Sequence, residues 1–168
     1  MVIDLTRALE DAVGRTLEGM LFMEAVPAYE ETLDQSTDLF WASLAVKAPM
    51  KGKLTFVVPR SLLVNIVDGF YGEAGTEAAF LEGSNVQATD QIMLDTLAEL
   101  LNTIAGRTLN LIVPANNVFE LGLPATGLGY PDGPDGVACR REHVFKIDEQ
   151  YFSIILEGEN LVEFCELV

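Results

Sequence analysis

Residues 89–112 limit the possible folds of this chain most strongly, because their apolar side chains recur at the spacing of an α-helix. The apolar positions that define one face are Leu94, Leu97, Leu100, Leu101 and Ile104. Asp95, Glu99 and Asn102 follow at i, i+4 and i+7, and at about 100° per residue they lie within about 60° of one another on the other face. We call these three residues the polar stripe. The pattern predicts a long helix with one buried face, and any surface helix also needs a polar face of this kind.

The first half of the chain reads as a helix followed by two strands and a short helix. Apolar residues at helical spacing run from Leu5 to Leu21, and Asp4 is a suitable N-cap. Residues 40–46 and 54–58 are rich in apolar and aromatic residues, and the turn between them predicts an antiparallel pair. Residues 59–61 then open a short helix that ends near Gly72.

The second half repeats the helix–strand–strand order after a connector that spans residues 71–85. We expect Thr89 or Asp90 to cap the long helix, which ends near Ile112. Strands are predicted at residues 118–123, 137–147 and 151–156, and the last two form a hairpin. Residues 127–136 hold four glycines and two prolines and predict a loop, while the apolar residues 161–168 should pack somewhere in the fold or against a second subunit.

Neither half can bury its predicted sheet alone, which favours a single domain over residues 1–168. A length of 168 residues is enough for one substantial core. The economical arrangement is an α+β domain in which the two long helices pack on one face of a largely antiparallel sheet.

The helix that carries the polar stripe resembles the signature helix of the CheC/CheX/FliY chemotaxis phosphatases. The matching pattern is Asp95-x3-Glu99-x2-Asn102, followed by Thr-Ile-Ala-Gly106-Arg107 and, 22 residues after Asn102, by Pro124. Residues 48–58, 62–67 and 70–73 also resemble the family's glycine turn, strand and small helix, and residues 1–157 can be read in register. The resemblance implies a CheC-like fold built as a pseudo-symmetric duplication. We expect Gly106 to permit close helix packing and Pro124 to shape the chain beside the site.

Family resemblance also assigns roles to the stripe. It implies that Glu99 and Asn102 are catalytic residues in the hydrolysis of an aspartyl phosphate on a CheY-like receiver domain, with Asp95 and Glu99 contacting that partner. CheC-type members repeat the Glu-x2-Asn pattern on the first long helix, whereas this chain has Asp11-x3-Arg15-x2-Glu18 there. One site per chain is therefore expected, as in CheX, and the same resemblance implies a homodimer. The Mg²⁺ needed for the reaction is expected on the receiver, with no cofactor bound by this chain.

Composition and motif content exclude several other classes of protein. Ten basic and 26 acidic residues give a net charge of −16, which disfavours nucleic acid and anionic membranes as partners. No apolar run approaches the ~20 residues that span a bilayer, and the first residues lack the pattern of a signal peptide, so a cytoplasmic location is expected. Cys139, Cys165 and the single histidine, His143, do not form the spacing of a metal site. No calcium loop, phosphate loop, nucleophile elbow or dinucleotide motif is found.

Two interpretations of function remain open at this point. In the first, the chain is a phosphatase that acts on a phosphorylated receiver in chemotaxis or related two-component signalling. In the second, it is a non-catalytic domain, related to flagellar-switch proteins, that binds a receiver or dimerises. The presence of both Glu99 and Asn102 favours the first.

Overall fold

The computed structural model describes residues 4–48, 50–72, 86–113, 115–133 and 139–158. In these ranges the chain forms three helices and seven strands. The helices are α1 (Leu5–Leu21), α2 (Arg60–Tyr71) and α3 (Val86–Ile112). The strands are β1 (Val26–Pro27), β2 (Leu39–Ala48), β3 (Gly52–Pro59), β4 (Glu120–Leu121), β5 (Ala125–Leu128), β6 (Arg140–Ile147) and β7 (Gln150–Glu157). The sequence of the connector also predicts a helical turn at residues 78–81, and this turn and the apolar segment 161–168 lie outside the described residues.

All strands join one antiparallel sheet, in the order β1-β6-β7-β3-β2-β4, with β5 also paired to β2. The hairpins β2–β3 and β6–β7 meet at the centre, where β3 pairs with β7. The short strand that follows α1 pairs with β6, and the short strand β5 that follows α3 pairs with β2. Each half of the chain thus supplies an edge strand to the hairpin of the other half. This exchange agrees with the pseudo-symmetric duplication that the family resemblance implies.

The helices cover one face of this sheet and enclose the main apolar core. Alternate residues of the central strands point into that core, and Phe56, Phe152 and Phe145 pack ring against ring at centroid distances of 5.1 and 5.2 Å. A smaller cluster of Leu33, Leu39, Val57 and Ile155 lies apart from the main core. The prediction of an α+β fold with both long helices on one sheet face is confirmed.

Several boundaries agree with the sequence because local side chains set them. Asp4 caps α1 by accepting a hydrogen bond from the Arg7 amide at 2.8 Å. The helix α2 begins directly after Pro59 and ends at Gly72, whose positive φ of 76° suits glycine. The β6–β7 hairpin turns at Asp148 and Glu149, as predicted.

The strands around residues 118–128 differ from the prediction. Residues 118–123 contain only the two-residue strand β4, and β5 begins two residues later and extends into the first two residues of the stretch 127–136 predicted as a loop. Gly127 belongs to β5 because the Trp41 indole lies against its backbone, where a Cβ would come within 2.4 Å of the ring. Tertiary contact with Trp41, which the local sequence does not report, explains this glycine.

Among the described helices, none has the length and apolarity that crossing a membrane requires.

The two adjacent residues Leu101 and Asn102 provide a test of how α3 is oriented. Leu101 is fully buried, whereas Asn102 is exposed. We predict that Leu101→Ala lowers the free energy of unfolding by about 2–5 kcal/mol, because it leaves a cavity in the core. The control Asn102→Ala should change it by less than about 1 kcal/mol. Urea denaturation measures both values, and equal losses would contradict this orientation of the helix.

Candidate functional site

The exposed face of α3 carries the polar stripe. Leu97, Leu100, Leu101 and Ile104 are fully buried against the core, while Asp95, Glu99 and Asn102 are all exposed. The prediction that one helix separates these two sets of residues is therefore confirmed. Glu99 and Asn102 are three residues apart, which places them about 4.5 Å apart along the helix axis. A carboxylate and a carboxamide thus stand side by side on an exposed surface.

The three side chains of the polar stripe differ in their hydrogen bonding. Asp95 accepts a hydrogen bond from the Gln91 side-chain amide at 2.7 Å, one turn earlier in the helix. Glu99 and Asn102 have no side-chain hydrogen bond or ion pair within the ranges that the structure describes. Their donors and acceptors are directed to solvent, so a partner can bind them without breaking an internal contact. Asp95 is already engaged within its own helix.

An ion-pair cluster around Arg60 holds the N-terminal part of α3 in place. The Arg60 Nη1 donates to Asp90 Oδ1 at 2.9 Å, and its Nε donates to Asp38 just before β2. These hydrogen bonds, that of Asp90 first, raise the pKa of Arg60. The guanidinium also lies 4.6 Å from the centre of the Phe40 ring. One side chain of α2 thus ties α3 to the sheet.

The Arg60 cluster also corrects the predicted start of α3. Neither Thr89 nor Asp90 caps the helix, because α3 already begins at Val86 and both residues lie inside it. Thr89 is buried, and Asp90 uses its carboxylate for Arg60. Threonine and aspartate favour a helix N-cap when their side chains have no tertiary partner. Here Asp90 is instead paired with Arg60, which is 30 positions away in the sequence.

Gly106 has different surroundings from those expected, whereas Pro124 lies in a connection of the kind that was expected. A Cβ added at Gly106 would meet no atom within 4 Å, so close packing within the chain does not explain this glycine. Gly106 instead leaves the surface open one turn after Asn102. Pro124 is exposed between β4 and β5, so it belongs to the connection between two short strands.

The corresponding position on α1 has a different chemistry. Arg15 Nε lies 2.9 Å from a carboxylate oxygen of Asp11, one turn earlier, and Glu18 is exposed. According to the family resemblance, Arg15 and Glu18 occupy the positions of the second glutamate and amide of a two-site protein. The geometry of α1 therefore offers no second pair of glutamate and asparagine.

His143, the single histidine, lies on β6 in surroundings unlike those of the stripe. Its Nε2 is buried and has no hydrogen-bond partner in the described part of the chain, and Glu10, Glu31 and Glu142 line the adjacent cleft. Burial, followed by the charge of Arg141, lowers the pKa of His143 to about 4. No group of three or more metal-ligating side chains occurs among the residues described.

The lowered pKa of His143 predicts a specific pH dependence of stability. The unfolded chain takes up a proton near the ordinary pKa of 6.5, whereas the folded chain does so only near pH 4, so stability falls as the pH drops below 6.5. Between pH 7 and pH 5 this amounts to about 2 kcal/mol. His143→Gln should remove this part of the pH dependence in denaturant titrations. If the free energy of unfolding depends on pH in the same way in the parent and in His143→Gln, the assignment of this pH dependence to His143 is wrong.

Three solved structures show what this fold is similar to. The chemotaxis protein CheX from Desulfovibrio desulfuricans is 14% identical with a TM-score of 0.70, and the alignment covers 93% of this chain and 100% of that chain. A chain of the CheX–CheY–BeF3–Mg²⁺ complex from Borrelia burgdorferi is 17% identical with a TM-score of 0.61, covering 92% and 97%. FliY from Thermotoga maritima is 13% identical with a TM-score of 0.62, covering 96% and 90%. No protein-family model and no curated protein sequence matches this chain.

Proposed function

The chain has the fold of the CheC/CheX/FliY chemotaxis proteins, and we propose that it accelerates hydrolysis of the aspartyl phosphate on a CheY-like receiver domain. One observation carries the proposal: Glu99 and Asn102 lie together on an exposed helix face, and within the described ranges neither side chain has a hydrogen-bond or ion-pair partner. A structural neighbour that is a complex of CheX with CheY, BeF3 and Mg²⁺ supports a receiver as the class of partner.

The chemistry required of this chain is small because the receiver supplies most of it. A receiver of this type holds its phosphoryl group beside its own Mg²⁺ and lysine, which neutralise the developing charge. The remaining task is to place one water molecule in line with phosphorus. A carboxamide both donates to and accepts from water and brings no negative charge toward the phosphoryl oxygens. We assign this task to Asn102.

Glu99 and Asp95 serve the contact with the receiver. Glu99 stands about one turn before Asn102 and can pair with the receiver's lysine, which fixes how the helix approaches. Asp95 lies a further turn away and is hydrogen-bonded to Gln91, so its contribution to binding is smaller. The short separation of Glu99 and Asn102 lets both reach a single phosphorylation site.

Substitution of Asn102 separates catalysis from binding. Asn102→Ala should lower the maximal rate of phosphate loss by a factor on the order of 10²–10³, with little change in affinity, because the water is no longer oriented. Glu99→Ala should mainly weaken binding. The measurement is single-turnover decay of the receiver's phosphate over a range of protein concentrations.

Asn65→Ala is a matched control, since Asn65 is an exposed asparagine on α2, away from the stripe. It should leave both rate and affinity unchanged within about twofold. A parent protein that binds the phosphorylated receiver without accelerating its decay would instead support the non-catalytic alternative. Full activity of Asn102→Ala would contradict the proposed role of this side chain.

We also propose a homodimer whose interface lies away from the polar stripe, on the basis of the CheX resemblance. Sedimentation at micromolar concentration should give twice the mass of 18.3 kDa. A single monomeric species would overturn this proposal and leave the assignment of Glu99 and Asn102 unaffected.

A further inference from the structure

A groove between α1 and α3 lies beside the polar stripe. It has a volume of about 350 Å³. Its walls are formed by Asp11 and Arg15 of α1 and by Arg107 and Asn110 of α3, with Ala12 and Leu111 as further lining. Two arginines from different helices therefore line one depression.

The α3 residues that line the groove lie about one to two turns beyond Asn102. Asn102, Gly106 and Asn110 recur every four residues and so follow one another along the helix, with Asn110 about 12 Å from Asn102 along the axis. Gly106, between them, has no side chain and leaves open space. A typical interface buries about 800 Å² on each partner, a patch about 30 Å across. A protein docked on Asn102 therefore also covers the groove.

The two guanidinium groups are available to a partner. Arg107 is exposed and forms no ion pair among the described residues, whereas Lys47, Lys53, Arg60 and Lys146 are all paired with carboxylates. Arg15 is 72% exposed, and its contact with Asp11 uses only Nε. That contact orients the guanidinium while its terminal amino groups remain free for a carboxylate.

The charge of the groove side chains indicates what kind of segment the groove binds. The chain as a whole has a net charge of −16, which repels an acidic partner at long range. The groove side chains Asp11, Arg15 and Arg107 have a net charge of +1, so this part of the helix surface is locally positive. A receiver presents carboxylates around its phosphorylation site. A receiver that approaches Asn102 therefore binds more favourably when it is oriented so that an acidic segment enters the groove.

We propose that the groove lined by Arg15 and Arg107 binds an acidic segment of the receiver, next to its phosphorylation site, and sets its orientation on the stripe. The inference rests on the proposed function, since it names a second contact of the same partner. It gives Arg15 a role in docking at the α1 position where a two-site protein would have a catalytic glutamate.

The test measures affinity and rate separately. The affinity of a receiver loaded with beryllofluoride and Mg²⁺ is determined by calorimetry for the parent, Arg107→Ala, Arg15→Ala and Arg107→Lys. Each alanine variant should weaken binding roughly fivefold to twentyfold at low salt, with a smaller ratio at high salt. Arg107→Lys should recover part of the affinity, because it keeps the charge without the planar fork. Maximal single-turnover rates should stay within about twofold of the parent.

Arg7→Ala is the matched control, because Arg7 is an exposed arginine in the first turns of α1, outside the groove. It removes the same charge and should change affinity by less than about twofold. An equal loss for Arg7→Ala, or parental affinity for both groove variants, overturns the docking groove while phosphatase activity of the parent stands. A parent that neither binds the loaded receiver nor speeds its decay overturns the proposed function as well.

Discussion

The packing of α3 against the sheet is the interaction on which the rest of the structure depends. Leu97, Leu100, Leu101 and Ile104 are fully buried, and each contributes about 1.5–3 kcal/mol through the area it removes from water. Rotation of the helix by about a quarter turn would expose some of these residues and bury carboxylates of the stripe. Burial of an unpaired carboxylate costs several kcal/mol. The core therefore fixes which face of α3 is presented, although no core residue takes part in the proposed chemistry.

The sheet reinforces this orientation through its exchanged edge strands. Because β1 pairs with β6 and β5 with β2, each half of the chain is held at the edge of the other. The Arg60 cluster adds a polar tie between α2, β2 and the N-terminal part of α3. The stripe thus stands on a rigid helix that is attached to the sheet near its start and along its buried face.

Features with a local cause were predictable from the sequence. The cap at Asp4, the helix after Pro59, the turn at Asp148 and the two faces of α3 all follow from side chains close in sequence. The strands β1 and β5 were not predicted, because β1 has too few residues to show an alternating pattern and the pairing of both strands depends on distant partners. Asp90 was misassigned as a cap for the same reason, since Arg60 is 30 residues away. The groove required the packing of α1 on α3 to be known.

The fold alone does not decide between hydrolysis and binding, because one fold can carry either function. On the exposed face of α3 a carboxylate and a carboxamide lie side by side, and neither has a side-chain partner among the described residues. In our proposal, the groove with two arginines next to this surface gives a receiver one preferred orientation. The chemistry then lies on α3, and recognition uses α3 together with Arg15 of α1.

The most direct test of this account is a nuclear magnetic resonance titration of the labelled chain with a CheY-like receiver from the same organism, loaded with beryllofluoride and Mg²⁺. The account predicts that the Asn102 side-chain amide and the backbone amides of residues 95–110 change most, together with those around Arg15. Changes confined to the second apolar cluster around Val57 and Ile155, with the signals of Asn102 unaltered, would contradict it.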